Sequence, residues 1–351
     1  MELNPETMMW IAAGGLPIIL LPFLPLLWIP WALYVAYFVW YQFVSISYID
    51  PKNRAVYITG CDSGFGHEIA VVLDQQGFHV FAGCLQPEGS GAGFLRAQSS
   101  DRLKVLPLDV TNDESVAECA RQITQICEEK GLELWALYNN AGIATAGEVE
   151  WCPLSLYQQS LDVNLMGVIR VTKSVLSLIR KSRGRIVSVT SGIARVPYPG
   201  RTSYCASKAG VESFMECLRY EMRKFDVHVC VVNPGNHTGA TKIFANMEKS
   251  LEGVYQAMSP ELRAEYGEKY LQAYRRSLVG AYMYAGTSIS QVLEALDQAI
   301  RSRRPRDRYK PMPLGWLLWD YLMQALPNEL ADWLVWLCIT RSLPKPAVMD
   351  R

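Results

Sequence analysis

Tyr204 and Lys208 stand four residues apart in Tyr204-Cys-Ala-Ser-Lys208. On a helix of about 3.6 residues per turn, that spacing puts both side chains on one face. A lysine cation beside a phenol stabilises the phenolate, which lets a tyrosine exchange protons near neutral pH. Many helices carry such a pair by chance, so the neighbouring text decides its weight. Upstream, Thr59-Gly60-Cys61-Asp62-Ser63-Gly64-Phe65-Gly66 follows the apolar run Ala55–Ile58. Glycines at 60, 64 and 66 permit a tight turn from strand into helix, whose N-terminus then faces a diphosphate. Asn139-Asn140-Ala141-Gly142 and Ser191 fall between these two sites. That order suits a nicotinamide-dependent oxidation of an alcohol.

The elements that must position these residues alternate along the chain. Apolar strands are read at Ala55–Thr59, Phe78–Cys84, Leu103–Leu108, Leu134–Tyr138, Arg185–Thr190 and Val227–Val232. Helical patterns lie between them at Phe65–Gln76, Asn112–Lys130, Ser155–Lys181 and Ser203–Phe225, with Gly77 closing the first and Thr111 or Asn112 capping the second. Gly89–Gly93 reads as a turn. Strand, helix, strand at this pitch implies parallel pairing with right-handed crossovers, hence an α/β, doubly wound parallel sheet. Residues 236–286 depart from the alternation with Tyr- and Met-rich helical text. Such an insertion after the sixth strand sits over the strand ends and is read as a substrate lid.

The motif T-G-x-x-x-G-x-G, the Asn-Asn-Ala-Gly stretch and Y-x-x-x-K together resemble the short-chain dehydrogenase/reductase family, over about residues 52–340. Gly60-Cys61-Asp62-Ser63-Gly64-Phe65-Gly66 resembles the branch of retinol dehydrogenases, oxidative hydroxysteroid dehydrogenases and animal D-3-hydroxybutyrate dehydrogenase, and local text such as Gly147-Glu148-Val149-Glu150, Cys217-Leu218-Arg219-Tyr220-Glu221-Met222 and Pro234-Gly235-Asn236 is most similar to the hydroxybutyrate enzyme of that branch. The resemblance implies a Rossmann-type fold and four catalytic roles. Tyr204 is the acid/base, and Lys208 lowers its pKa and bonds the nicotinamide ribose. Ser191 steadies the substrate oxygen, and Asn164 holds a water that relays protons to Lys208. It also implies a cofactor site at Thr59, Gly60, Asp62, Ser63, Gly64, Phe65 and Gly66. Further contacts come from Asp109 and Val110 at the adenine, Asn139, Ala141 and Gly142 along ribose and diphosphate, and Pro234, Gly235 and Thr238 or Thr241 at the nicotinamide. Direct hydride transfer requires no metal. No Lys or Arg follows the second strand before Arg96, and the glycine loop holds Asp62, so NAD is favoured over NADP.

Thirty-four basic and 34 acidic residues leave no net charge, which argues against nucleic acid as a partner. Nine scattered cysteines and four dispersed histidines show neither a disulfide framework nor a metal cluster. Between Glu6 and Asp50 the chain is uncharged and mostly apolar, longer than the roughly 20 residues a membrane helix needs. Prolines 17, 22, 25 and 30 interrupt it, so one kinked pass or two short ones are both open. The expected organisation is a membrane anchor at 1–50 and a catalytic domain at 51–312. A hydrophobic helical extension follows at 313–351, its tryptophans suited to a lipid interface or to closing the substrate pocket. Lys52 and Arg54 after the anchor favour a cytosolic catalytic domain on the endoplasmic reticulum, with a mitochondrial membrane as the alternative. The sequon Asn236-His237-Thr238 would then stay unmodified.

The substrate expected is a lipophilic small molecule, steroid-like or retinoid-like, acted on by a homodimer joined through helices 155–181 and 203–225. Hydroxybutyrate oxidation is the second reading, and a cofactor-binding scaffold without turnover the third. A short hydroxy acid would need a cation, for which Arg195, Arg201 and His237 are the candidates, Arg201 the best placed.

Overall fold

The computed structural model describes residues 32–33, 36, 47–237, 241, 243–283 and 288–350. The expected anchor therefore lies almost wholly outside the described residues. Among those described, no helix is long and apolar enough to cross a membrane. The chain divides into two compact units, Ile49–Arg301 with Pro305–Arg351, and Met1–Tyr48 with Ser302–Arg304. In the smaller one, Tyr48 pairs antiparallel with Ser302. All that follows concerns the larger.

Seven parallel strands form one sheet in the order β3-β2-β1-β4-β5-β6-β7. They are β1 Arg54–Thr59, β2 His79–Cys84, β3 Leu103–Pro107, β4 Glu133–Asn139, β5 Arg185–Val189, β6 His228–Val232 and β7 Arg308–Tyr309. Strands buried on both faces need continuous apolar runs, and Ala55–Ile58 and Leu134–Tyr138 supply them. Helices α1 (Gly64–Gln75), α2 (Ser90–Gln98) and α3 (Asp113–Lys130) serve the first half of the sheet. Asn112 caps α3 by accepting from the Ser115 amide at 2.8 Å, a contact worth about 1 kcal/mol. Gly131 ends α3 in the left-handed conformation.

Two sequence expectations are corrected here. Gly89–Gly93 is not a turn but the start of α2, because Ala92 and Leu95 bury against the main core. Residues 155–181 do not form one helix. They form α4 (Leu154–Leu161), a π turn at Asp162–Met166, and α5 (Gly167–Ser182). Gly167 lies so close to Val110 that a Cβ there would sit 2.8 Å from the valine methyl, so the π turn lets α5 press onto the end of β3. Helix α6 (Thr202–Met222) follows as expected, with a short 3₁₀ turn at Arg223–Phe225.

The lid insertion forms α7 (Ile243–Ala257) and α8 (Pro260–Met283), the latter kinked at Gly267. Its buried face, with Leu251, Val254, Tyr270, Leu271 and Tyr274, makes a separate apolar cluster against Ala146 and Trp151. Helix α9 (Ser290–Arg301) leads to β7, a strand the basic composition of 301–310 conceals. The extension forms α10 (Leu314–Ala325) and α11 (Asn328–Cys338), divided at Pro327.

Candidate active site

A cavity of about 1520 Å³ opens at the carboxyl ends of the strands, where the sheet order reverses between β1 and β4. The turn after β1 forms one wall. Gly60 has φ +69°, and a Cβ on it would lie 2.8 Å from Ala141 Cα. A Cβ on Gly66 would meet Asn140 Nδ2 at 2.5 Å and Gly60 O at 2.7 Å. Both contacts demand glycine. Thr59 ties this turn to β4, its hydroxyl accepting from the amides of Asn140 and Ala141, each at 3.0 Å. The Asn140 amide returns two bonds, to Thr59 O and Gly60 O, each 3.0 Å.

Ser63, Gly64 and Phe65, the cap and first turn of α1, line the cavity, and the Ser63 side chain makes no capping bond. An open helix N-terminus over a glycine cradle fits the diphosphate of a dinucleotide. Asp62 also lines the cavity, and its carboxylate accepts from the amides of Leu85 at 3.0 Å and Gln86 at 2.8 Å. It thereby places a negative charge at the end of β2. Asp109 is turned onto Thr111, accepting from its amide at 2.9 Å and its hydroxyl at 2.7 Å, and lines the cavity with Val110.

Four expected site residues, Thr59, Gly66, Asn139 and Asn164, are not among those lining the cavity. Asn139 does not line the cavity: it is buried beneath it and donates to Thr172 and Ser188 at 3.1 and 3.2 Å. Asn140, Ala141 and Gly142 are the lining residues of that stretch. The alternating faces of β4 explain the shift, since only one of two neighbouring asparagines can face the cavity. Pro234 and Gly235 line it as expected, and Gly235 is held against Met312, 2.7 Å from the position of a Cβ. Thr238 lies outside the described residues. Thr241 lines the cavity beside Gly64.

Tyr204, Lys208 and Ser191 meet at the inner end. Burial pushes the Tyr204 phenol up to about 12, while a hydrogen bond with the Ser191 side chain and the charge of Arg201 act in the opposite direction. Burial pulls Lys208 down to about 8, against the charge of Glu212. Its ammonium donates to Val189 O at 3.0 Å and stands 5.9 Å from the Tyr204 ring centroid. Asn164, in the π turn, accepts from the Ile143 amide at 2.8 Å. It donates to Ile143 O at 3.0 Å and Ser207 Oγ at 2.9 Å. Its side-chain amide thus fixes the loop after β4.

Of the three candidate cations, Arg195 is exposed and off the cavity. His237 has both ring nitrogens against main-chain carbonyls, of Ser288 at 3.0 Å and Pro311 at 3.1 Å. Arg201 lines the cavity, its guanidinium close enough to Tyr204 to favour the phenolate. The outer wall belongs to the extension: Trp316, Trp319, Val335 and Ile339 line it, together with Val196 and Ile243. Sequence reasoning left the extension's tryptophans between a lipid interface and the substrate pocket, and did not assign Met312, Val335 or Ile339 to the site. Their helical spacing marks a buried face, but nothing in it says what that face covers.

The family model for short chain dehydrogenases matches residues 54–251. The chain belongs to the short-chain dehydrogenase family. The enzyme is 39% identical over 292 residues to the mitochondrial D-beta-hydroxybutyrate dehydrogenase of Bos taurus, covering 81% of this chain and 84% of that one. It is 38% identical over 299 residues to the 17-beta-hydroxysteroid dehydrogenase type 6 of Bos taurus, covering 84% and 90%. A solved short-chain dehydrogenase from Burkholderia phymatum, in complex with NAD, shares the fold at a TM-score of 0.63 and 21% identity, over 78% of this chain and 94% of that one. The enzyme is therefore a nicotinamide-dependent oxidoreductase acting on the hydroxyl group of a small molecule.

Proposed function

We propose that the enzyme interconverts an alcohol and a carbonyl on a lipophilic molecule, of hydroxysteroid or retinoid type, using NAD. The apolar wall of Trp316, Trp319, Val335 and Ile339 opposite the Tyr204 end of the cavity carries this reading. Aromatic side chains bury large apolar area, so such a wall rewards a substrate with apolar surface to match. A dinucleotide held by its diphosphate at the glycine cradle, with Pro234 and Gly235 toward its nicotinamide, would supply the hydride acceptor. Tyr204 takes the hydroxyl proton, Ser191 holds the substrate oxygen, and the Lys208 cation favours the phenolate.

Asp62 supports NAD. Its carboxylate at the end of β2 opposes a further phosphate there, and the basic residues lining the cavity, Arg201 and Lys208, both stand at the catalytic end. Exposed Leu318, Tyr321, Leu330, Trp333 and Trp336 on α10 and α11 support docking of these helices on a membrane, with residues 7–49 as anchor and the catalytic domain in the cytosol. A homodimer through α5 and α6 belongs to the same reading.

Arg201 favours a second reading. A guanidinium inside the cavity would pair the carboxylate of a short hydroxy acid such as hydroxybutyrate. The deciding measurement is NADH production by the purified protein with steroids, retinol and D-3-hydroxybutyrate in parallel. Turnover of steroid or retinol, little changed in Arg201→Met, is the expected result. Turnover of hydroxybutyrate alone, with its KM raised steeply in Arg201→Met, would overturn it.

A further inference from the structure

Tyr204, Lys208 and Glu212 recur every fourth residue along α6, so one face carries a phenol, an ammonium and a carboxylate in a row. Glu212 is buried, and three strand ends converge on it. Thr190 donates its hydroxyl to Glu212 Oε1 at 2.6 Å. This residue lies between Val189, whose carbonyl holds the Lys208 ammonium, and Ser191. Asn233, directly before Pro234-Gly235, donates to the same oxygen at 2.5 Å. Arg308 of β7 lies 2.5 Å from Glu212 Oε2 and donates to Asn233 Oδ1 at 2.7 Å and Glu216 Oε1 at 2.9 Å.

A carboxylate is costly to bury, and an apolar side chain of similar volume would serve packing as well or better. Its placement one helical turn beyond the catalytic lysine supplies a reason for keeping it. The charged or titratable groups at this end of the site are Tyr204, Cys205, Glu212 and Glu216 on α6, Arg201 ahead of it and Arg308 on β7. The π turn contributes Asn164 and the carboxylate of Asp162, which lines the cavity and is paired with Arg170 at 2.7 Å, and the ends of β5 and β6 contribute the uncharged Thr190, Ser191 and Asn233.

We propose that Glu212 is a positioning residue for Lys208, with Arg308 as its counterion. The pair holds the ends of β5 and β6 in register with the catalytic lysine and sets a negative charge behind it. This rests on the catalytic reading of Tyr204 and Lys208 given above. The cationic lysine is the form that favours the phenolate. Burial already lowers its pKa, and Glu212 opposes that. Neutralising Glu212 lets the lysine shed its proton at lower pH, so the alkaline limb of the rate profile moves towards neutrality. Removing Arg308 leaves the full carboxylate charge facing the lysine and moves the limb the other way.

The test uses the full chain with Glu212→Gln, Arg308→Gln and Arg308→Lys. Rate against pH is read with the best alcohol substrate. The Lys208 side-chain signal is also titrated by NMR in lysine-labelled protein, assigned by its absence in Lys208→Arg. Glu212→Gln is expected to lower both midpoints by about one pH unit, a tenfold change in the equilibrium. Arg308→Gln is expected to raise them, and Arg308→Lys to restore the parent values. Loss of rate or melting temperature with both midpoints unmoved would overturn the proposal and leave a structural clamp. Where Glu212→Gln fails to fold, Arg308→Gln decides alone. A shifted lysine midpoint in a protein that oxidises no alcohol would remove the proposed reaction and leave this inference standing.

Discussion

The two walls of the cavity are built by different means. The cofactor wall is main chain: Gly60, Gly64 and Gly66 bring the backbone close, and Thr59 and Asn140 lace it to β4 with four hydrogen bonds. The wall proposed for the substrate is side chain, with tryptophans and aliphatic residues of α10 and α11 lining the cavity together with Val196 and Ile243. A backbone wall admits few substitutions, because each glycine answers a steric demand. An apolar side-chain wall tolerates many volume-conserving changes. One fold can thus keep its oxidant fixed while its alcohol varies.

The comparison can be broken at four points, and the largest effect lies where the walls meet. Tyr204→Phe keeps the ring and removes the hydroxyl, so turnover should fall by about a thousandfold or more while NAD affinity and melting temperature persist. Activity within tenfold of the parent would take Tyr204 out of the mechanism.

Gly66→Val places side-chain atoms on the Asn140 amide and the Gly60 carbonyl. The expected loss is about a hundredfold in NAD affinity, roughly 2.7 kcal/mol, measured by NADH fluorescence titration. Unaltered binding would mean the cradle does not hold the cofactor.

Trp316→Ala with Trp319→Ala strips the opposite wall. It should lower kcat/KM for a steroid or retinoid about thirtyfold, within the range that buried apolar contacts supply, and leave NAD affinity alone. Equal losses for lipophilic and short alcohols would show that α10 merely supports the fold.

Asp62→Lys is the mildest. It should shift the NADP/NAD preference in kcat/KM towards NADP by about tenfold, or 1.4 kcal/mol. A parent that already prefers NADP would refute the charge argument before any variant is made.

The same contrast explains what could be read in the sequence. Six strands were legible to within a residue or two, since buried parallel strands leave continuous apolar runs. The cofactor turn was legible because its glycines answer backbone constraints that act at fixed spacing. The π turn was not, because one extra residue in a helix barely disturbs its apolar period, and only the Asp162–Met166 backbone reveals it. Helix α2 hid behind glycines that propensity assigns to a turn, and the burial of Ala92 and Leu95 overrides them. Strand β7 hid behind arginines whose charge is met from afar, by Glu212 and Glu216 ninety-six and ninety-two residues upstream. Asn139 and Asn140 show the finest limit: the motif marks the pair, and strand phase alone decides which one faces the cavity.

Met312 touches the inner site at Gly235, and after it Trp316, Trp319, Val335 and Ile339 line the cavity. The glycine cradle and the catalytic trio all precede this seam, so most of the apolar lining comes from one terminal stretch. Exchange of residues 313–351 with the matching stretch of a related dehydrogenase is therefore a graft at one seam, with no sheet strand crossed. Such a chimera should keep its NAD affinity and inherit the donor's choice of alcohol.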